Sequence, residues 1–257
     1  MAKIIKNYVL ELLRPVSEET IRMFRKTKQD RYVMDINPFD VMRLNIGLGL
    51  LPLVDKELED NLLKRIDNIR CYIAIETGVI IPSIHIVDDL KLKSFEYSFY
   101  IRNKQIIKNE IKRNKYICIP CGNIKNEVKI KEYVFGVPAG VLSRKQIQEA
   151  GNAGCEFTDA LDILKTNLYL LIKENLHEIF TYDNSKNILR RVSKQNPSLI
   201  EDCYSKYTLI EIKNILCKIL KRNGTLLNIN KIIETLLLYA DKKNNIEELT
   251  DLIIQEI

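Results

Sequence analysis

Apolar residues change their spacing part-way along this chain, and the change rules out any single repeating architecture. Beyond Ser185 they fall at helical steps. Leu209, Ile212, Ile215, Leu216, Ile219 and Leu220 make one stripe, and Ile229, Ile232, Ile233, Leu236 and Leu237 make the next. Residues three and four apart share one face of a helix, so each stripe predicts an amphipathic helix that must bury that face on a neighbour. Asn223-Gly224 punctuates the two. The last part of the chain therefore reads as an all-helical subdomain of three or four helices.

Upstream the pattern is mixed. Asn61 to Ile75 reads as a helix with Leu62, Leu63, Ile66, Ile69 and Ile73 on one face, and Gly78 is a suitable stop. Val41 to Leu51, closed by Pro52, reads as a buried strand whose glycines, Gly47 and Gly49, let another backbone come close. Short strands are expected around Ser83 to Val87, Tyr97 to Ile101 and Tyr116 to Ile119. Asp159 to Glu178 reads as one helix, with Leu161, Leu164, Leu168, Leu171 and Ile172 on one side. Together these predict an α+β, multi-subdomain fold: a small mixed sheet domain with an inserted α/β subdomain, followed by the helical one. The expected divisions are a basic N-terminal helical segment or linker at 1–36, a discontinuous first subdomain at 37–108 and 158–182, an inserted second at 109–157, and a helical third at 183–257. Asn37-Pro38 marks the first break, because the residue before proline avoids the helical region.

Composition narrows the function classes. Hydrophobic residues make up 46% and charged residues 29% of the 257, ordinary for a globular chain and against disorder. The net charge of +6 is spread out, whereas nucleic-acid binding draws on a concentrated basic face. The densest run (Arg22, Arg25, Lys26, Lys28, Arg31) reads as a solvated helix face or linker, so nucleic acid is not the expected partner. A membrane-spanning helix takes about 20 consecutive apolar residues. The most apolar stretches end sooner, at Asp55 and Asp241, so no membrane insertion and a cytoplasmic location are expected, with the six cysteines reduced.

A series of motifs carries a resemblance. Ile46-Gly47-Leu48-Gly49-Leu50-Leu51-Pro52-Leu53-Val54-Asp55 is followed by Leu62-Leu63, Arg65-Ile66, Ile69-Arg70, Ala74, Glu76, Gly78 and Pro82. Ile86, Asp88, Leu90, Leu92, Tyr97 and Ile101 continue it. Phe135-Gly136, then Thr166 and Leu168, then Ile188-Leu189 through Val192 with Pro197, Leu199 and Glu201-Asp202 come next. Ile232 to Leu236 and Ala240 complete the series. In order and spacing these resemble the cytoplasmic part of the type III secretion export-gate family, which takes in flagellar FlhA and injectisome SctV proteins. The sequence departs from the family at Asn167, where the family has histidine, and at Gly224 to Asn228. The resemblance covers residues 37–257 and matches the first three subdomains only, so a chain without the membrane domain and the final subdomain is expected.

The resemblance implies a ring, usually of nine sister copies, and a hydrophobic dimple that docks secretion chaperone–substrate complexes. Three dimple positions fall on Glu132, Phe135 and Thr166. An aromatic in an apolar rim suits a binding hot spot, and a nearby hydroxyl and carboxylate suit orientation. The alternative implied is a stand-alone, phage-carried structural mimic that forms its own ring or joins host export-gate subunits.

No catalytic, cofactor or metal residues are expected. Cys118-Ile119-Pro120-Cys121 is a lone CxxC, without the second pair or nearby histidines that a zinc site takes. Gly47-Leu48-Gly49 lacks the third glycine of a dinucleotide loop and the Gly-Lys-Ser/Thr of a phosphate loop. His85 and His177 stand apart in sequence, with no nucleophile spaced to use either as a base, and Asp88-Asp89 reads as a solvated turn. The reading is a protein-binding module, not an enzyme.

Overall fold

Strand β1 (Met42–Ile46) buries Met42, Leu44 and Ile46 and leaves Arg43 and Asn45 half-buried, the alternation of a strand with one face on the core. These positions come from a computed structural model, in which the described residues are 40–55, 61–111, 115–118, 128–131, 138–152, 157–222, 224–242 and 245–256. The expected N-terminal segment 1–36 lies outside them. The chain divides into two compact units, Met1–Ile69 with Ile84–Leu171, and Arg70–Ser83 with Ile172–Ile257.

In the first unit, β1 lies parallel to β2 (Ile84–Asp88) and antiparallel to β3 (Glu96–Ile101), which pairs with β4 (Lys104–Glu110). The order is β2-β1-β3-β4. Parallel neighbours need a crossover, and helix α1 (Leu62–Thr77) supplies it. Asn61 starts that helix: its Oδ1 accepts from the Lys64 backbone N–H at 2.9 Å. Across the sheet, Met42 faces Ile101, Leu44 faces Phe99 and Ile46 faces Tyr97, all buried. Each such side chain contributes about 1.5–3 kcal/mol of apolar burial. A slip of one residue in either strand would turn its three to the opposite face.

The expected strand Val41 to Leu51 is half right. The chain leaves the ladder after Ile46 and winds into a 3-10 helix, Leu48–Val54. The reason lies in the glycines. A Cβ on Gly47 would sit 2.0 Å from the Lys93 carbonyl oxygen, and one on Gly49 would sit 2.7 Å from that of Ser94. The close backbone approach is therefore real, but it belongs to a turn seated on residues 93–95.

The second sheet holds β5 (Lys115–Cys118), β6 (Val128–Lys131), β7 (Pro138–Ser143) and β8 (Phe157–Asp159), in the order β6-β7-β5-β8 with antiparallel neighbours. After β7 a 3-10 turn, Arg144–Gln146, leads into helix α2 (Ile147–Asn152). Leu142 and Ala150 are buried together, with Tyr116 packed against them.

The helix expected over Asp159 to Glu178 is two. Helix α3 (Ala160–Glu174) ends at Asn175, whose backbone (φ −103°, ψ 17°) departs from helical geometry, and α4 (Leu176–Ile179) is a single turn. The Asn175 carbonyl accepts from the N–H groups of Glu178 and Ile179, which starts the new turn.

The rest of the second unit is helical, as predicted, but its described residues form five helices rather than the three or four expected: α5 (Tyr182–Ser193), α6 (Pro197–Lys206), α7 (Leu209–Lys221), α8 (Ile229–Leu238) and α9 (Ile246–Glu256). Thr181 and Thr208 cap α5 and α7 by accepting from the N–H three residues on, and Pro197 opens α6, where its missing N–H costs nothing. In α7 Ile212, Ile215, Leu216, Ile219 and Leu220 are buried, and in α8 Ile232, Ile233 and Leu236 are. Gly78 ends α1 in the left-handed region (φ +75°), and the Leu226 N–H then donates to the Thr77 carbonyl at 2.8 Å. The fold is α+β with several subdomains, as the sequence predicts.

Candidate functional site: the dimple positions and their surroundings

Glu132 and Phe135 fall in the connection between β6 and β7 and lie outside the described residues. Thr166 is described. It sits in α3, 5% exposed, and its hydroxyl donates to the Asp162 carbonyl at 2.9 Å, one turn back. That is the usual bond of a threonine inside a helix, and it engages the hydroxyl within the chain. In the second sheet Pro138 of β7 and Lys131 of β6 pair at the Phe157 end, while α3 leaves from the other end of β8, at Asp159.

The polar group that the structure does assemble near Thr166 is an ion cluster. Arg65, on α1 and 6% exposed, donates through Nη1 to Asp162 at 2.6 Å and lies 3.4 Å from Asp159 through Nη2. Asp159 also accepts from the Asp162 N–H at 2.7 Å, so one carboxylate caps α3 and pairs with the arginine. This cluster was missed in the sequence; an arginine on the stripe of Leu62, Ile66 and Ile69 could have pointed to a buried ion pair, though not to its distant partners. The position where the family carries histidine, Asn167, is buried, and its amide donates to the Tyr97 hydroxyl at 2.9 Å.

The remaining candidates resolve simply. His85 Nδ1 lies 2.5 Å from Asp40 Oδ2, and His177 Nε2 lies 4.0 Å from Glu178. Asp89 accepts from the Lys91 N–H at 2.9 Å and from Asn45 at 3.0 Å, so it holds a turn together. The first of these bonds does most to hold its carboxyl below the ordinary carboxylate value. Cys118 lies in β5 and Cys121 lies outside the described residues. Among the described residues no three His, Cys, Asp or Glu side chains cluster as metal ligands, and no helix is long and apolar enough to cross a membrane. Large apolar side chains do reach solvent on the helices of the second unit: Leu238 is 71%, Ile210 62% and Tyr204 47% exposed.

The decisive observation is a match to the FHIPEP family over residues 11–257. The chain belongs to the FHIPEP family. It is 31% identical over 210 residues to the flagellar biosynthesis protein FlhA of Borreliella burgdorferi, a match that covers 80% of this chain and 30% of that protein. A FHIPEP chain of this extent thus spans under a third of such a relative. Its fold is like that of the Chlamydia pneumoniae CdsV protein in its complex with CdsO (TM-score 0.74, 16% identity, 87% of this chain and 70% of that one). It is also like nonameric EPEC SctV-C (TM-score 0.62, 16% identity, 85% and 66%).

Proposed function

We propose that this FHIPEP chain is a non-catalytic binding and assembly module of type III protein export, which forms a ring of sister copies on the cytoplasmic side and receives secretion chaperone–substrate complexes. The observation that carries the reading is the family match over 11–257, joined to a fold like that of a nonameric homologue. Work of this kind is done by surfaces. The exposed Ile210, Leu238 and Tyr204 supply apolar area for contact between copies. A ring needs two different patches on each copy, so no patch has to be self-complementary. Docking is assigned to Glu132, Phe135 and Thr166, with Phe135 as the anchor and the inserted subdomain 109–157 as its carrier. CdsV has been solved in a complex with CdsO, and a partner of that kind is proposed for this chain also.

Light scattering on a sizing column, over a range of concentrations, tests assembly. A discrete species of nine times the 30.0 kDa protomer mass is expected. A monomer at every concentration would remove ring assembly from these residues. Docking is tested separately. Phe135→Ala should weaken binding of a chaperone–substrate complex by about 2 kcal/mol with little change in melting temperature. A large fall in melting temperature without selective loss of binding would make Phe135 a core residue instead.

A further inference from the structure

The two edges of the first sheet are not protected alike. β4 carries Lys104, Lys108 and Glu110, and its register with β3 shifts between Phe99 and Tyr100. Charges and bulges of this kind turn an edge away from further pairing. β2 has no such guard over Ile84, His85, Ile86 and Val87, and its register with β1 is unbroken.

The ladder determines which backbone groups of β2 are open. The Asp89 N–H donates to the Ile46 carbonyl at 2.9 Å. In an extended chain every second residue turns its N–H and C=O to the same side, so His85 and Val87 face β1 as well. Ile84, Ile86 and Asp88 then turn theirs outward. Among the described residues no strand pairs with that edge. Their side chains lie on the face of Met42, Leu44 and Ile46, all buried, and His85 and Val87 lie on the other.

Charge says what kind of strand fits. Carboxylates stand at both ends of the edge. Asp40 lies 2.5 Å from the His85 ring at one end, and Asp88 and Asp89 follow Val87 at the other, with Lys91 beside Asp89. A second copy of β2 does not suit this edge. Paired antiparallel about Ile86, it would bring the Asp88 and Asp89 end of each copy to the Asp40 end of the other, carboxylate toward carboxylate. A basic strand meets the same groups as counter-charges.

We propose that the outer edge of β2 docks an extended segment of another protein, which adds antiparallel to it as a fifth strand. Its apolar side chains lie on the face of Ile84 and Ile86, and its basic ones on the face of His85 and Asp40. Backbone bonds to Ile84, Ile86 and Asp88 supply affinity, and the carboxylates supply the preference. A slip of one residue would turn the basic side chains toward the core side.

The probe is the fluorescent peptide Val-Lys-Val-Lys-Val, blocked at both ends, and anisotropy reads its binding to the intact chain. One control is Val-Glu-Val-Glu-Val. The other is the lysine peptide N-methylated at its valines, which keeps the charge and loses the donors that face β2. Each control should bind at least about tenfold more weakly. Ile86→Pro removes an outward N–H and leaves the bonds to β1 in place, so it should weaken the lysine peptide about tenfold with little change in melting temperature. Amide exchange read residue by residue by NMR on the wild type needs no variant. Ile84, Ile86 and Asp88 should exchange freely without peptide and about tenfold slower when it is saturating, while His85 and Val87 stay protected throughout. Equal binding of the peptides, or none, would overturn the proposal. So would slow exchange at Ile84 and Ile86 without peptide, which would mean an edge already paired. A fall in solution mass on Ile86→Pro would also overturn it, by giving the edge to a second copy.

Discussion

Cys203 is 1% exposed on α6, and burial pushes its thiol up to about 11. The thiolate is the reacting form, so at about pH 8 iodoacetamide should label Cys203 at least about tenfold slower than the partly exposed Cys217. Peptide mass mapping of the native protein checks this. Asp89 and Glu96 give the second prediction at this scale. The Lys91 N–H, then Asn45, hold Asp89 below its ordinary 3.8, and the Lys93 N–H, then Lys108, hold Glu96 below its ordinary 4.5. Groups depressed in the fold stabilise it above their unfolded values and lose that contribution as pH falls through the folded ones. Below pH 4.5 the wild-type urea midpoint should therefore fall more steeply than that of the Asp89→Asn, Glu96→Gln double variant. Parallel curves would mean that neither carboxylate matters. Single residues were only partly legible in sequence. Gly47 and Gly78 announced a close approach and a helix stop because only glycine tolerates those positions. The role of Arg65 stayed hidden, because its partners Asp159 and Asp162 lie far along the chain.

Elements were legible where burial imposes a period. β1, β3, α1, α7 and α8 each bury a regular face, and their sequences show it. β4 was missed because its bulge breaks the alternation and its edge is charged, and β8 because three residues carry no period. The 3-10 helix Leu48–Val54 hid inside an apolar run, since periodicity does not separate a buried strand from a buried turn. That turn carries the sharpest mutational prediction. Gly47→Ala drives a methyl to within 2.0 Å of a backbone oxygen, with no flexible side chain to yield. It should destabilise the protein by about 3 kcal/mol. Gly151→Ala, with nothing within 4 Å of the added carbon, should stay within about 0.5 kcal/mol. Denaturant melts of both variants decide it.

For the whole molecule, the α+β character and the helical last part were legible in the sequence, and the family resemblance stood on motif order. The proposed docking positions rest on the resemblance alone: Glu132 and Phe135 lie outside the described residues, and the hydroxyl of Thr166 bonds within its own helix. Assembly is the property that belongs to this scale. The proposed ring would gain its last contact only on closure, so if it forms, dilution should move mass between nonamer and monomer with few intermediate species.

The second sheet has one feature whose effect reaches beyond folding. The chain comes in along β5 and goes out along β8, and those two strands are hydrogen-bonded to each other, with Tyr116 opposite Asp159. Its two ends are therefore about 5 Å apart. A module hung on so narrow a doorway can be lengthened, shortened or exchanged for another, and the host frame need not shift to accommodate it. Natural variation in length and sequence can collect there without disturbing the first sheet, and an engineer can graft a foreign segment at the same two residues.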